Sequence, residues 1–125
     1  MKDLDFLVIL TPYTQETHNI VDAGILAAMK PGAFLVNLAR GGVVDEDALV
    51  TALKARKLAG AALDVFATEP LPGESPLWDM ENVIVTQHQG GFFDSYPRFA
   101  IPVVEENMRK FLAGDTRSMI NVVRH

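Results

Sequence analysis

Hydrophobic positions along this chain fall into blocks separated by polar and glycine-rich breaks, and two of the blocks are nearly continuous apolar runs. Asp5-Phe6-Leu7-Val8-Ile9-Leu10 closes on Thr11-Pro12, and Ala33-Phe34-Leu35-Val36-Asn37-Leu38-Ala39 closes on Arg40-Gly41-Gly42. Runs with hydrophobic residues on both faces suit strands buried on both sides of a parallel sheet. Gly60-Ala61-Ala62-Leu63, leading into Asp64-Val65-Phe66, reads as a third strand whose small residues permit close approach of a helix or ligand. Val83-Ile84-Val85-Thr86 is a short fourth, ending in Gln87-His88-Gln89-Gly90-Gly91.

The stretches between these runs carry helix signals. Asp22 is placed to cap a helix over Ala23 to Lys30, which stops at Pro31-Gly32. Asp45-Glu46-Asp47 opens another, with Leu49, Val50, Leu53 and Leu58 at helical spacing. A long helix is expected from about Ser95 to Ala113, kinked or delayed by Pro102 and stopped by Gly114. The loop from Thr68 to Asp79 is rich in proline and acidic residues, and Trp78 is expected to pack it against the sheet. The tail Met119-Ile120-Asn121-Val122-Val123 is apolar enough to dock or pair. Strands alternating with helices define an α/β fold, a wound parallel sheet of about four strands with flanking helices.

Composition narrows the partners. At 125 residues and 49% hydrophobic, the chain can bury a core of its own. A formal net charge of -5 argues against nucleic acid. There is no cysteine, so disulfides and thiolate metal sites are excluded. His18, His88 and His125 lack metal-ligand spacing, and no metal is expected. No apolar run is long enough to span a bilayer and the first residues lack a signal-peptide core, so neither membrane nor export is expected, and a cytoplasmic location is the expectation.

The chemistry lies at the strand ends. In open α/β sheets, ligands occupy the crevice beyond the carboxyl ends of the strands. Arg40, Asp64 and His88 all stand at or just past such ends, and Glu69 follows in the loop after Asp64. A guanidinium there suits a carboxylate or phosphate. The three acids at the start of the second helix make that helix a poor phosphate site, which leaves Arg40 as the anion reader. A carboxylate beside a histidine favours imidazolium and fixes its tautomer. Such a set binds an anion and moves a proton.

The segments Met29-Lys30-Pro31-Gly32-Ala33, Asn37-Leu38-Ala39-Arg40-Gly41-Gly42-Val43-Val44-Asp45, Ala62-Leu63-Asp64-Val65-Phe66, Glu69-Pro70-Leu71-Pro72 and Thr86-Gln87-His88 resemble the D-isomer-specific 2-hydroxyacid dehydrogenases. The resemblance runs over almost the whole chain. It implies a partial Rossmann-like fold, the second mononucleotide-binding half over residues 1–92, followed over 93–125 by the helix and tail that return to a substrate domain. It further implies hydride transfer between NAD or NADP and a small 2-hydroxy or 2-oxo acid. By that resemblance Arg40 binds the substrate carboxylate, His88 is the general acid/base, and Glu69 pairs with it. Thr11, Pro12, Leu38, Ala39, Asp64, Gly90 and Gly91 would line the cofactor, Asp64 at the nicotinamide carboxamide, with Arg40 and His88 on the same edge. His18, in a polar turn, would lie near the cofactor as well.

Two features depart from the family pattern. Gln87 stands where a proline usually precedes the histidine, an expected loosening of His88. No G-x-G-x-x-G occurs in these residues, nor the acidic residue that should follow it. The expectation is that this chain alone binds the dinucleotide weakly or not at all. It would act as a homo-oligomer or with a complementary N-terminal fragment. A non-catalytic dinucleotide-related or self-associating domain is the alternative.

Overall fold

The computed structural model describes residues 2–122. The chain divides into two compact units, Met1–Gly90 and Gly91–His125. The first unit is built on four strands, β1 (Phe6–Ile9), β2 (Phe34–Asn37), β3 (Gly60–Leu63) and β4 (Val83–Val85). They pair in the order β1-β2-β3-β4, all parallel. Val8, Val36, Ala62 and Ile84 stand in one row across the sheet. Every carboxyl end therefore lies on the same edge.

The connecting helices are α1 (Ala23–Ala28) and α2 (Glu46–Lys54). Asp22 caps α1 by accepting the Ile25 N–H at 2.8 Å, as its position predicts. The helix is shorter than expected, because Met29 is already extended ahead of Lys30-Pro31. Asp45 caps α2 through the Ala48 N–H at 3.0 Å, and Glu46 and Asp47 fill its first turn. Leu58 does not belong to this helix. Arg56, at φ 53, turns the chain back, and Leu58 enters the core from the following segment.

Leu26, Leu49 and Leu53 from the helices, with Met29 just past α1, close over Ile9, Leu35, Ala61 and Leu63 from the strands. The sheet is thus buried on one face only, against the expectation of strands buried on both sides. The alternate residues of the same runs face outward: Phe6 is 61%, Val8 51% and Ile84 66% exposed. Phe6 and Phe34 stack on this open face with ring centroids 5.5 Å apart. The apolar sequence reports two faces; α1 and α2 supply a cover for one.

The Thr68–Asp79 loop is anchored in the core by Leu77, which is 1% exposed, and not by Trp78. Trp78 stays half exposed and donates its indole N–H to the Pro72 carbonyl at 2.9 Å.

The second unit is dominated by α3 (Tyr96–Leu112), which runs through Pro102 without a break, so the expected delay does not occur. Gly114, at φ 76, ends it. The tail docks without forming a strand: Asn107 donates to the Ile120 carbonyl at 2.7 Å and accepts the Ile120 N–H at 2.9 Å. Val123 and His125 lie outside the described residues.

Candidate active site at the carboxyl edge of the sheet

β2 delivers Arg40. Past Asn37 the chain turns through Leu38-Ala39-Arg40 into a short 3-10 turn, Gly41–Val43. The Arg40 guanidinium folds back to the Ala39 carbonyl at 2.6 Å. This turn lies against the loop that follows β3. A Cβ built on Gly41 would fall 1.8 Å from the Phe66 carbonyl carbon, so only glycine allows the two loops to touch. Glu46, from the start of α2, ties the same loop down by accepting the Ala67 N–H at 2.9 Å.

β3 delivers Asp64, which is 3% exposed. Its carboxylate accepts the Thr86 hydroxyl and the Gln89 N–H (2.9 Å) on Oδ1, and the Gly90 N–H (2.7 Å) on Oδ2. Its backbone carbonyl accepts the His88 N–H at 2.7 Å. Burial acts to raise the Asp64 carboxyl pKa. The Thr86 hydroxyl, the two amides and the charge of His88 outweigh that and hold it below the ordinary carboxylate value. His88 sits at φ 52, a left-handed conformation uncommon for a residue with a Cβ. The bonds from Asp64 to either side of it hold that conformation. These anchors lie at residues 86, 88, 89 and 90 and do not involve the Gln87 side chain.

Glu69 joins the two loops. Its Oε2 lies 2.8 Å from His88 Nδ1, and its Oε1 accepts the Phe66 N–H at 3.0 Å. Burial acts to raise its pKa too. The His88 bond, the Phe66 amide and the positive charges of His88 and Arg40 reverse this and set it below the usual value.

The surface around these groups is grooved. Leu10, Thr11, Pro12, Tyr13, Leu38, Ala39 and Arg40 line an open groove of about 490 Å³. Tyr13, Arg40, Gly41, Gly42, Phe66, Ala67 and Glu69 line a second of about 320 Å³. Arg40 and Tyr13 belong to both. Glu69 and His88 also border an apolar hollow of about 250 Å³ with Phe66, Leu71, Trp78 and Val85.

Of the residues singled out from the sequence, Arg40, Glu69 and His88 come together, and Thr11, Pro12, Leu38 and Ala39 line the groove that Arg40 closes. Asp64 and Gly90 meet each other. Gly91 opens the second unit. His18 is engaged by the Tyr13 hydroxyl at 3.1 Å. Tyr13, Asn37 and Thr86 escaped the sequence reading. Asn37 had a visible signal, a polar residue inside an apolar strand; Tyr13 had none, because a tyrosine in a polar turn is ordinary. Among the described residues no group of acidic and histidine side chains is placed to hold a metal, and no helix is long and apolar enough to cross a membrane.

A parallel Rossmann-like sheet with an arginine and a histidine–carboxylate pair at its carboxyl edge defines the class of this α/β domain. Residues 1–90 match the family described as "D-isomer specific 2-hydroxyacid dehydrogenase, NAD binding domain", and the chain belongs to that family. It is 45% identical over 122 residues to a D-3-phosphoglycerate dehydrogenase of Synechocystis sp., covering 97% of this chain and 22% of that protein. It is 51% identical over 90 residues to glyoxylate/hydroxypyruvate reductase B of Pectobacterium carotovorum, covering 72% of this chain and 28% of that one. The crystal structure of a D-isomer specific 2-hydroxyacid dehydrogenase from Xanthobacter autotrophicus Py2, in complex with NADPH and MES, superposes with a TM-score of 0.86. The two are 44% identical, over 96% of this chain and 48% of that one. The chain thus spans only about a quarter of the length of those curated relatives.

Proposed function

We propose that this chain carries the proton-transfer and carboxylate-binding groups of an oxidoreductase that moves a hydride between NAD(P)(H) and a small 2-hydroxy or 2-oxo acid. The observation that carries the reading is the His88 Nδ1–Glu69 Oε2 pair at 2.8 Å, in a loop fixed by Asp64 and beside a cleft that Arg40 and Glu69 share. With Nδ1 committed to Glu69, Nε2 is the ring nitrogen that meets substrate. In the reducing direction the imidazolium gives its Nε2 proton to the carbonyl oxygen as that carbon gains the hydride. In the oxidising direction the neutral ring takes the hydroxyl proton. Glu69 stabilises the charged ring, and Arg40 holds the substrate carboxylate.

The groove of Leu10 to Tyr13 and Leu38 to Arg40 fits the reacting end of a nicotinamide dinucleotide. Its walls are largely apolar, and it runs directly to Arg40. When bound there, the cofactor supplies or accepts the hydride. The pyrophosphate calls for a glycine-rich loop that these residues do not contain. That grip is proposed to come from other residues, of the same polypeptide, a complementary fragment or a second copy.

The test uses the intact protein that carries these residues, with NADH or NADPH and glyoxylate or hydroxypyruvate. Reduced-cofactor oxidation that disappears in His88→Asn supports the reading. Absence of turnover with every pairing, in a folded protein, overturns it and favours a non-catalytic, self-associating domain, for which the open apolar face of the sheet is the supporting observation.

A further inference from the structure

Among the described residues, the buried polar side chains are Asp64 and Asn37. Asp64 is accounted for by the His88 loop. Asn37 ends β2 at 1% exposure and borders a small cavity with Val44, Leu49, Leu63, Val65 and Glu46. A carboxamide in that position costs stability unless its donors and acceptor are met. Both ends are met by the same short turn. Oδ1 accepts the Ala39 N–H at 3.1 Å, and Nδ2 donates to the Arg40 carbonyl at 3.1 Å. The side chain thus stands in for a strand partner that the turn lacks. It fixes the Leu38–Ala39 and Arg40–Gly41 peptide groups, and with them the backbone that lines the groove at Leu38 and Ala39.

We infer that Asn37 is the positioning residue for Arg40: its carboxamide sets the geometry in which the guanidinium receives a carboxylate. The inference rests on the reading of Arg40 as the anion reader given above. A valine or leucine would satisfy the apolar surroundings of β2 equally well but leave the Ala39 N–H and one lone pair of the Arg40 carbonyl unpartnered.

The probe is oxalate, a dicarboxylate of substrate size that cannot be reduced at a keto carbon. It is titrated into the intact protein with saturating NADH while the ¹⁵N resonance of the Arg40 guanidinium is followed. Asn37→Ala is expected to weaken oxalate about tenfold relative to wild type at every pH, the scale of one well-placed hydrogen bond to a charged partner. Asn37→Asp separates positioning from general damage. A buried carboxyl is neutral at low pH, and then one oxygen accepts from Ala39 while the hydroxyl donates to the Arg40 carbonyl. Ionised, it can only accept, and it repels that carbonyl.

Asn37→Asp is therefore expected to match Asn37→Ala at about pH 8 and to approach wild type at about pH 5, since burial and the facing Arg40 carbonyl both favour the neutral carboxyl. Affinities are taken as ratios to wild type at the same pH. The ionisable neighbours His88, Glu69, Asp64 and Glu46, the last lining the same small cavity as Asn37, are the same in every protein compared. If Asn37→Ala does not fold, the pH pair of Asn37→Asp carries the test alone. Unchanged oxalate affinity in Asn37→Ala, or no recovery of folded Asn37→Asp at low pH, overturns the inference while Arg40 keeps its role. An Arg40 resonance in wild type that ignores oxalate overturns both.

Discussion

Glu69 Oε2 lies 2.8 Å from His88 Nδ1 while its Oε1 holds the Phe66 N–H at 3.0 Å. One carboxylate thereby fixes the histidine ring and the loop that carries the carboxylate itself. In the proposed reaction His88→Asn should lower kcat by about two to four orders of magnitude, the usual contribution of a general acid/base. Glu69→Gln should lose less, because the proton-transferring ring remains. Steady-state kinetics with a 2-oxo acid decide it, and a His88→Asn enzyme with near-normal kcat would remove His88 from the chemistry.

Gly41 is the point where the Arg40 turn and the Phe66-Ala67 loop touch. A methyl group there would lie 1.8 Å from backbone, which cannot rotate aside. Gly41→Ala should cost about 1–3 kcal/mol or more through forced separation of the loops. Gly73→Ala, with nothing within 4 Å of the added carbon, should stay within about 0.5 kcal/mol of wild type. Denaturant melts of the two variants compare them directly, and equal stabilities would contradict the packing.

The carboxyls of Asp64 and Glu69 both lie below their ordinary values in the folded protein. An unfolded chain then takes up protons at higher pH than the native one. Stability from these groups is complete above the ordinary carboxylate range and is lost as pH falls through the folded values. Thermal melts from about pH 7 down to about pH 3 should show a shallower acid loss in Asp64→Asn than in wild type. Parallel curves would mean that the Asp64 bonds contribute nothing to the pH dependence.

The open face of the sheet presents Phe6, Val8, Phe34 and Ile84 to solvent, and β1 and β4 are its edges. Apolar edges of this kind template association with another chain. This chain is proposed to self-associate at micromolar concentration. Val8→Lys or Ile84→Lys should shift it toward monomer in light scattering with little loss of melting temperature. A wild-type monomer that the substitutions leave unchanged would rule the face out as a contact.

The sequence by itself determined the element order, the parallel α/β class, the cap at Asp22, the acidic start of the second helix at Asp45, and the strand-end residues Arg40, Asp64 and His88. Each is a local matter: periodicity, capping chemistry and the position of a polar residue after an apolar run are written in consecutive residues. Only the tertiary structure decided that the apolar runs are covered on one face. That depends on where the crossover helices return, which the strand residues do not encode. The Glu69–His88 pairing, implied by the family resemblance and not by spacing, is made in the tertiary structure across 19 residues of chain. The tertiary structure also placed Asp64 as the anchor of the His88 loop. These are contacts between segments whose separation in space is set by the parallel register of β2, β3 and β4, not by their spacing in the chain.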